Sequence, residues 1–414
     1  MNAFTAVFLL FLAGSTAGLW YLATRQLAAL RHHRHQVPTA FRNTVTLEDH
    51  QRAADYNSAQ VRLERLDLLL GAGLLLLWTL GGGLNIIDNA WRALAWGPVA
   101  TGVGVILSAF LIMGLLDLPV DLYRTFIIEQ RFGFNRVTPR LYAVDTLKKA
   151  ALSVAIGTPV AAVILVLMDS AGATWWWWGW GVWMSFVALM LWAYPEFIAP
   201  LFNDFKPLDD EQLRTRITGL LERSGFKSGG IFVMDGSRRS SHGNAYFTGF
   251  GAKKRIVFFD TLLASLSHKE ITAVLAHELG HFKHRHVQKR LAWMALGSLA
   301  GFALLGWACG ADWFFRGLGV ERPSAHMALL LFLLISPSFT AVLRPLSSHW
   351  QRQHEFEADE YAARCSNPED LIRALVKLYE ENAATLTPDP CYSAYHDSHP
   401  PAPLRIRRLQ SMAV

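Results

Sequence analysis

The 414-residue chain is 52% hydrophobic and only 17% charged, below the roughly 25% of soluble domains, and its mean hydropathy is positive. That balance excludes an ordinary soluble globular protein and predicts an integral membrane protein. The net charge of +6 lies in loops beside apolar runs, which fits an anionic leaflet rather than nucleic acid, and the cysteines Cys309, Cys365 and Cys391 form neither a disulfide framework nor a zinc-ligand pattern.

The first apolar run covers 3–23. No basic residue precedes it, while Arg25, Arg31 and Arg34 follow. It therefore reads as an uncleaved anchor with its N-terminus outside. The cluster Arg31-His32-His33-Arg34-His35 reads as a basic juxtamembrane stretch rather than a metal site. Further spans are expected at 68–87, 98–116, 150–168, 174–194, 291–311 and 327–343, the last short and broken by Pro337. The total is seven. The loop at 24–65 carries seven arginines, and that at 117–149 carries Arg124, Arg131, Arg136, Arg140, Lys148 and Lys149. The opposite loops carry Arg92, none at 169–173, then Arg316 and Arg322. The bias puts the polar segment 197–290 and the C-terminus on the cytoplasmic side. The tryptophan run Trp175–Trp178, with Trp180 and Trp183, fits an interfacial aromatic belt.

From Pro207 to His268 the pattern changes to a small α/β unit. Helical periodicity runs from Asp209 to Arg223 and stops at Gly225. Strands are expected at Ile231–Met234, Ala245–Phe247 and Arg255–Phe259, with Gly249 and Gly251 between the last two. A three-stranded sheet could bind an extended peptide along its edge through Ala245, Tyr246 and Phe247. Asn244 before that strand could donate to a developing oxyanion, or simply turn the chain after Gly243.

The helix that follows carries His277-Glu278-Leu279-Gly280-His281. Histidines four apart share one helix face, and this HExxH spacing is a zinc-peptidase signature. His277 and His281 would hold the metal, and Glu278 would pass a proton from water to the leaving amine. A catalytic zinc needs a third protein ligand. Glu355, within His354-Glu355-Phe356-Glu357-Ala358-Asp359, is the candidate, and Asp359 could accept the second N–H of a ligating histidine. Alternative third ligands are His284 and His286. Asn367-Pro368 opens a helix to Glu381. In the tail, His399 could polarise a carbonyl and Arg405 could orient partners or bind a carboxylate; a surface turn and a basic tail would explain them as well.

The chain resembles the type I CAAX prenyl endopeptidases, integral-membrane zinc proteases. The resemblance rests on Tyr123–Phe126, Glu129–Asn135, Tyr194–Asn203, Gly236–Phe247, Lys254–Leu263, HELGH, EFEAD and His399-Pro400-Pro401. It implies a mainly α polytopic membrane fold, about seven helices around a water-filled chamber, with a small α/β gluzincin-type protease domain. The expected division is 1–206 for a membrane region of five spans and 207–414 for the peptidase with two more. The resemblance further implies one zinc on His277, His281 and Glu355, Glu278 as base, Asn244 on the substrate-binding edge, and His399 and Arg405 near the transition state. Phe282 departs from the tryptophan frequent there. The partners expected are a peptide or protein substrate, prenylated by the resemblance, and membrane lipids, with no nucleic acid. Short loops and a tail ending at Val414 without a retention signal point to a bacterial inner membrane. Two rivals are a quality-control zinc protease indifferent to prenylation and a non-enzymatic transporter or scaffold with structural zinc; the latter needs four protein ligands.

Overall fold

Stretches that cross a bilayer must satisfy their backbone hydrogen bonds internally, so this apolar sequence folds mainly into helices. The computed structural model describes residues 2–248 and 254–412. The first half contains α1 (Ala3–His33), α2 (Leu47–Trp78), α3 (Gly83–Arg92), α4 (Pro98–Tyr123), α5 (Pro139–Ser170) and α6 (Trp175–Ala193). Among the described residues, six helices are long and apolar enough to cross a membrane, or seven if the bent pair α2–α3 is one crossing.

Three details depart from expectation. The crossing anticipated at 68–87 is not straight. Helices α2 and α3 meet at 47°, because the run Gly81-Gly82-Gly83 breaks the helix and Gly82 adopts a φ of 77°. The loop anticipated at 24–65 is largely helical, since α1 continues to His33 and α2 begins at Leu47; Thr46 caps that helix by accepting from the N–H of Asp49. Pro337 does not break the final span. Packed neighbours tolerate its missing N–H, and the helix runs on.

The α/β unit follows as β1 (Phe205–Pro207), α7 (Glu211–Arg223), β2 (Ser228–Met234), β3 (Ala245–Thr248), β4 (Lys254–Phe259), α8 (Asp260–Ser265) and α9 (His268–Lys283). The sheet has four strands rather than three, in the order β1-β2-β4-β3. The extra strand, β1, pairs antiparallel with β2. At three residues ending in proline it carries almost no strand signal, and proline is tolerated there because β1 is an edge. The opposite edge is β3, antiparallel to β4 from Ala245↔Phe258 to Thr248↔Arg255. Gly249 and Gly251 fall outside the described residues.

The chain then returns through α10 (His286–Ala308), α11 (Asp312–Gly317) and α12 (Ala325–Thr340). One 3-10 turn, Ala341–Leu343, joins α12 to α13 (Arg344–Cys365), and α14 (Pro368–Glu381), α15 (Pro390–His396) and α16 (Ala402–Gln410) complete the fold. Among the described residues, two large hydrophobic cores result. One lies within the helical bundle and includes Phe8, Leu84, Phe314 and Leu331. The other lies under the sheet and joins Ile217, Phe258, Leu275, Ala362 and Leu409. Between α4, α5, α6, α10 and α12 is a cavity of about 1460 Å³ lined by residues such as Phe110, Leu115, Phe186, Phe302 and Leu333.

Candidate metal centre

Helix α9 starts where Ser267 and Glu270 form a reciprocal capping box. Lys377 from α14 also binds Glu270, at 2.7 Å. The start of the helix is thereby tied to the second core. About two turns after Glu270 come His277, Glu278 and His281.

The second helix of the site is α13, and Gly280 sets its approach. A Cβ on Gly280 would lie 2.8 Å from the Cα of Ala358. Only glycine permits that backbone contact, which carries Glu355 to the two histidines. His281 Nε2 lies 3.2 Å from His277 Nε2 and 3.2 Å from Glu355 Oε1. His277 Nε2 lies 3.5 Å from Glu355 Oε2. All three donor groups fall within 4.8 Å of one another.

These separations fit a divalent cation. Ligand atoms about 2.0–2.2 Å from a tetrahedral centre sit about 3.3–3.6 Å apart. The bare side chains are also poorly matched to each other. Two imidazole nitrogens face at 3.2 Å, and Glu355 Oε2 is buried without a hydrogen-bond partner. A cation between them would satisfy all three. Burial disfavours charge on His277, but the hydrogen bond it donates to Asp359 and the adjacent Glu355 carboxylate outweigh it and raise its pKa to about 9. The site attracts positive charge.

Asp359 is 1% exposed, with Oδ1 2.9 Å from His277 Nδ1. A carboxylate there holds the proton on Nδ1 and leaves Nε2 free as a ligand. Arg405, from α16, clasps Asp359 with Nε to Oδ2 at 2.8 Å and Nη2 to Oδ1 at 2.6 Å. Its guanidinium is therefore engaged inside the protein. Glu278 is half-buried. His399 Nε2 stands 3.4 Å from Glu355 Oε1, with its side chain 61% exposed.

Asn244 joins no contact with this cluster. It is exposed, its side-chain oxygen accepts from the N–H of Ala245 at 2.8 Å, and its carbonyl accepts from Phe259 at 3.0 Å. Ala245, Tyr246 and Phe247 form the edge strand beside α9. His286 is not part of the donor group: its Nδ1 meets His281 Nδ1 at 2.9 Å, and His284 stacks on its ring. Nothing in the spacing marks Gly280 or the partner of His286, since both depend on where α13 arrives. The capping box S-x-x-E at 267–270 is the one supporting feature readable in the linear chain.

Residues 207–413 match peptidase family M48. The chain belongs to that family. Residues 26–204 match the family described as CAAX prenyl protease N-terminal, five membrane helices. Among relatives, CAAX prenyl protease 1 homolog of Arabidopsis thaliana is 38% identical over 298 residues, 71% of this chain and 70% of that one. CAAX prenyl protease 1 homolog of Homo sapiens is 30% identical over 387 residues, 83% of this chain and 80% of that one. The crystal structure of S. mikatae Ste24p superposes with a TM-score of 0.93 at 30% identity, covering 99% of each chain. The protein is accordingly an integral-membrane, multi-pass metalloendopeptidase.

Proposed function

We propose that the chain cleaves CAAX-type C-terminal peptides, prenylated in the manner of its relatives' named substrates, at one zinc held by His277, His281 and Glu355. The observation that carries this reading is the three-donor cluster from two helices, with Glu278 beside its first histidine. Three protein ligands leave the fourth corner for water or substrate, as catalytic sites do and structural ones do not. When bound, the ion would act as a Lewis acid and promote ionisation of water near neutral pH. Glu278 takes the proton from the attacking water and delivers it to the leaving amine. Asp359 keeps His277 in the ligating tautomer, and Arg405 holds Asp359. His399, exposed at the rim, is aimed to hydrogen-bond the carbonyl oxygen as it gains charge. Strand β3 binds the substrate in extended form by backbone pairing, and Asn244 before it donates its side-chain N–H to the developing oxyanion.

The proposed division of labour gives residues 1–206 the role of membrane scaffold and 207–414 that of peptidase. The arginine bias supports a cytoplasmic active site and C-terminus, with the N-terminus outside, and the short loops fit a bacterial inner membrane.

The test is Glu278→Gln in purified protein. It should retain metal, measured by elemental analysis, and lose cleavage of a farnesylated peptide by about 100-fold or more, the scale of general base catalysis. Full activity in this variant would reject the base assignment. Equal cleavage of farnesylated and unmodified peptides would favour a protease indifferent to the lipid.

A further inference from the structure

Beyond the ligands, the structure holds a chain of hydrogen bonds that the reaction outlined above leaves unused. Helix α9 ends at Lys283 with His284 as its C-cap, and Arg285 takes a left-handed φ of 56°. That conformation is uncommon for a side chain other than glycine or asparagine. It reverses the chain so that His286, the first residue of α10, folds back against His281. His286 is 4% exposed. Its Nδ1 lies 2.9 Å from His281 Nδ1, and its Nε2 lies 2.8 Å from Glu357 Oε2. Face to face with its ring is His354, with centroids 3.9 Å apart and planes 11° apart. Trp350 in turn closes edge-on over His354 at 4.3 Å.

With both imidazoles neutral, only one placement of protons satisfies every link. Glu357 can only accept, so His286 Nε2 carries hydrogen and donates to it. In a neutral imidazole the other nitrogen is then a bare acceptor. His286 Nδ1 therefore accepts from His281 Nδ1–H. His281 Nε2 is left with its lone pair directed at His277 and Glu355. The reverse order would place a lone pair of His286 against the carboxylate and a proton on the face of His281 that must bind a cation. Glu357 thus dictates, through two rings, which nitrogen of His281 is available.

We propose that His286, oriented by Glu357, is a positioning residue that holds His281 in its metal-ligating tautomer. This rests on the assignment of His281 as a ligand made above. The two histidines are then served by different devices. His277 leans on the buried carboxylate Asp359 itself. His281 leans on a neutral imidazole, with the carboxylate one ring further out and 43% exposed. A carboxylate against each histidine would add a third negative charge to a site that already contains Glu355 and Asp359. The interposed ring gives orientation without that charge.

The experiment uses the full-length protein in detergent, stripped of metal and titrated with zinc against a chromophoric chelator. The absorption spectrum of the cobalt-loaded form is recorded in parallel. His286→Ala should weaken zinc by about 10–100-fold, the usual scale for losing a partner of a ligating histidine, and should alter the cobalt spectrum. His286→Asn, whose side-chain oxygen can accept in place of Nδ1, should recover most of the affinity. Glu357→Leu should weaken zinc by about 10-fold. Its partial exposure keeps this variant informative if His286→Ala does not fold. Wild-type affinity in both His286→Ala and Glu357→Leu overturns the proposal. So does an Asn variant no better than Ala, which would reduce His286 to packing. A wild-type protein that takes up no divalent ion overturns the metal reading itself, and the proposal with it.

Discussion

Asp359 serves two partners, His277 and Arg405, and all three side chains are buried. Removing one member of such a group leaves a charge uncompensated in low dielectric, which costs about 3–5 kcal/mol. Arg405→Met should therefore lower the thermal midpoint and weaken zinc together, measured by calorimetry and metal titration on the same preparation. Arg405→Lys should fall between, because an ammonium cannot make the forked pair. His242 poses a different case. Its Nε2 faces Glu129 at 3.6 Å, its Nδ1 meets Asn382 Oδ1 at 2.9 Å, and its ring stacks on Phe134. The bond to Glu129 raises its pKa, burial opposes, and Asn382 adds to the rise. The folded value thus exceeds the ~6.5 of an unfolded histidine. The stability from this pair is complete below about pH 6.5 and fades as pH climbs through the raised pKa. Wild type should lose more thermal stability between about pH 6 and pH 8 than His242→Gln, compared by thermal unfolding at each pH.

Helices α9 and α13 make the site because their backbones touch at Gly280 and Ala358. A methyl group there forces them apart, and overpacking of this kind costs about 1–3 kcal/mol. Gly280→Ala should lower the unfolding midpoint and reduce metal content while leaving every ligand in place; a variant with unchanged zinc stoichiometry and affinity would show that the contact does not set the site. The linear chain makes half of this geometry readable. The four-residue spacings of His277 and His281, and of Glu355 and Asp359, follow from helical periodicity alone. That the two faces meet, and that Arg405 arrives from a third helix, depends on contacts far apart in sequence. The same division explains the fold. Long apolar runs announced the crossings, but the bend at Gly82 and the strand Phe205–Pro207 are short, and tertiary contacts decide them. Pro337 was misleading because a buried helix tolerates what an exposed one does not.

Across the whole molecule, the C-terminal segment that carries His399 and Arg405 is strapped to the first helix. Arg25 Nε lies 3.1 Å from both oxygens of Asp389, and Nη2 lies 3.0 Å from Oδ2. The Gln26 side chain accepts from the Asp389 N–H at 2.7 Å. Arg25→Ala should release that strap. Because Arg25 is partly exposed, the change should leave global stability nearly intact, within about 1 kcal/mol. Cleavage by an added protease within 385–400 should accelerate a few-fold, read by mass spectrometry of the fragments. The joint between α12 and α13 reaches further. With only one 3-10 turn between them, the rod that crosses the bilayer and the rod that presents Glu355 are close to a single lever. Its depth is set by the thickness of the surrounding acyl chains, since a helix whose apolar length mismatches the hydrocarbon tilts or shifts. Bilayer thickness should thereby reach Glu355 as a mechanical input, so the protein reconstituted in lipids of short and of long acyl chain should differ in zinc affinity by metal titration.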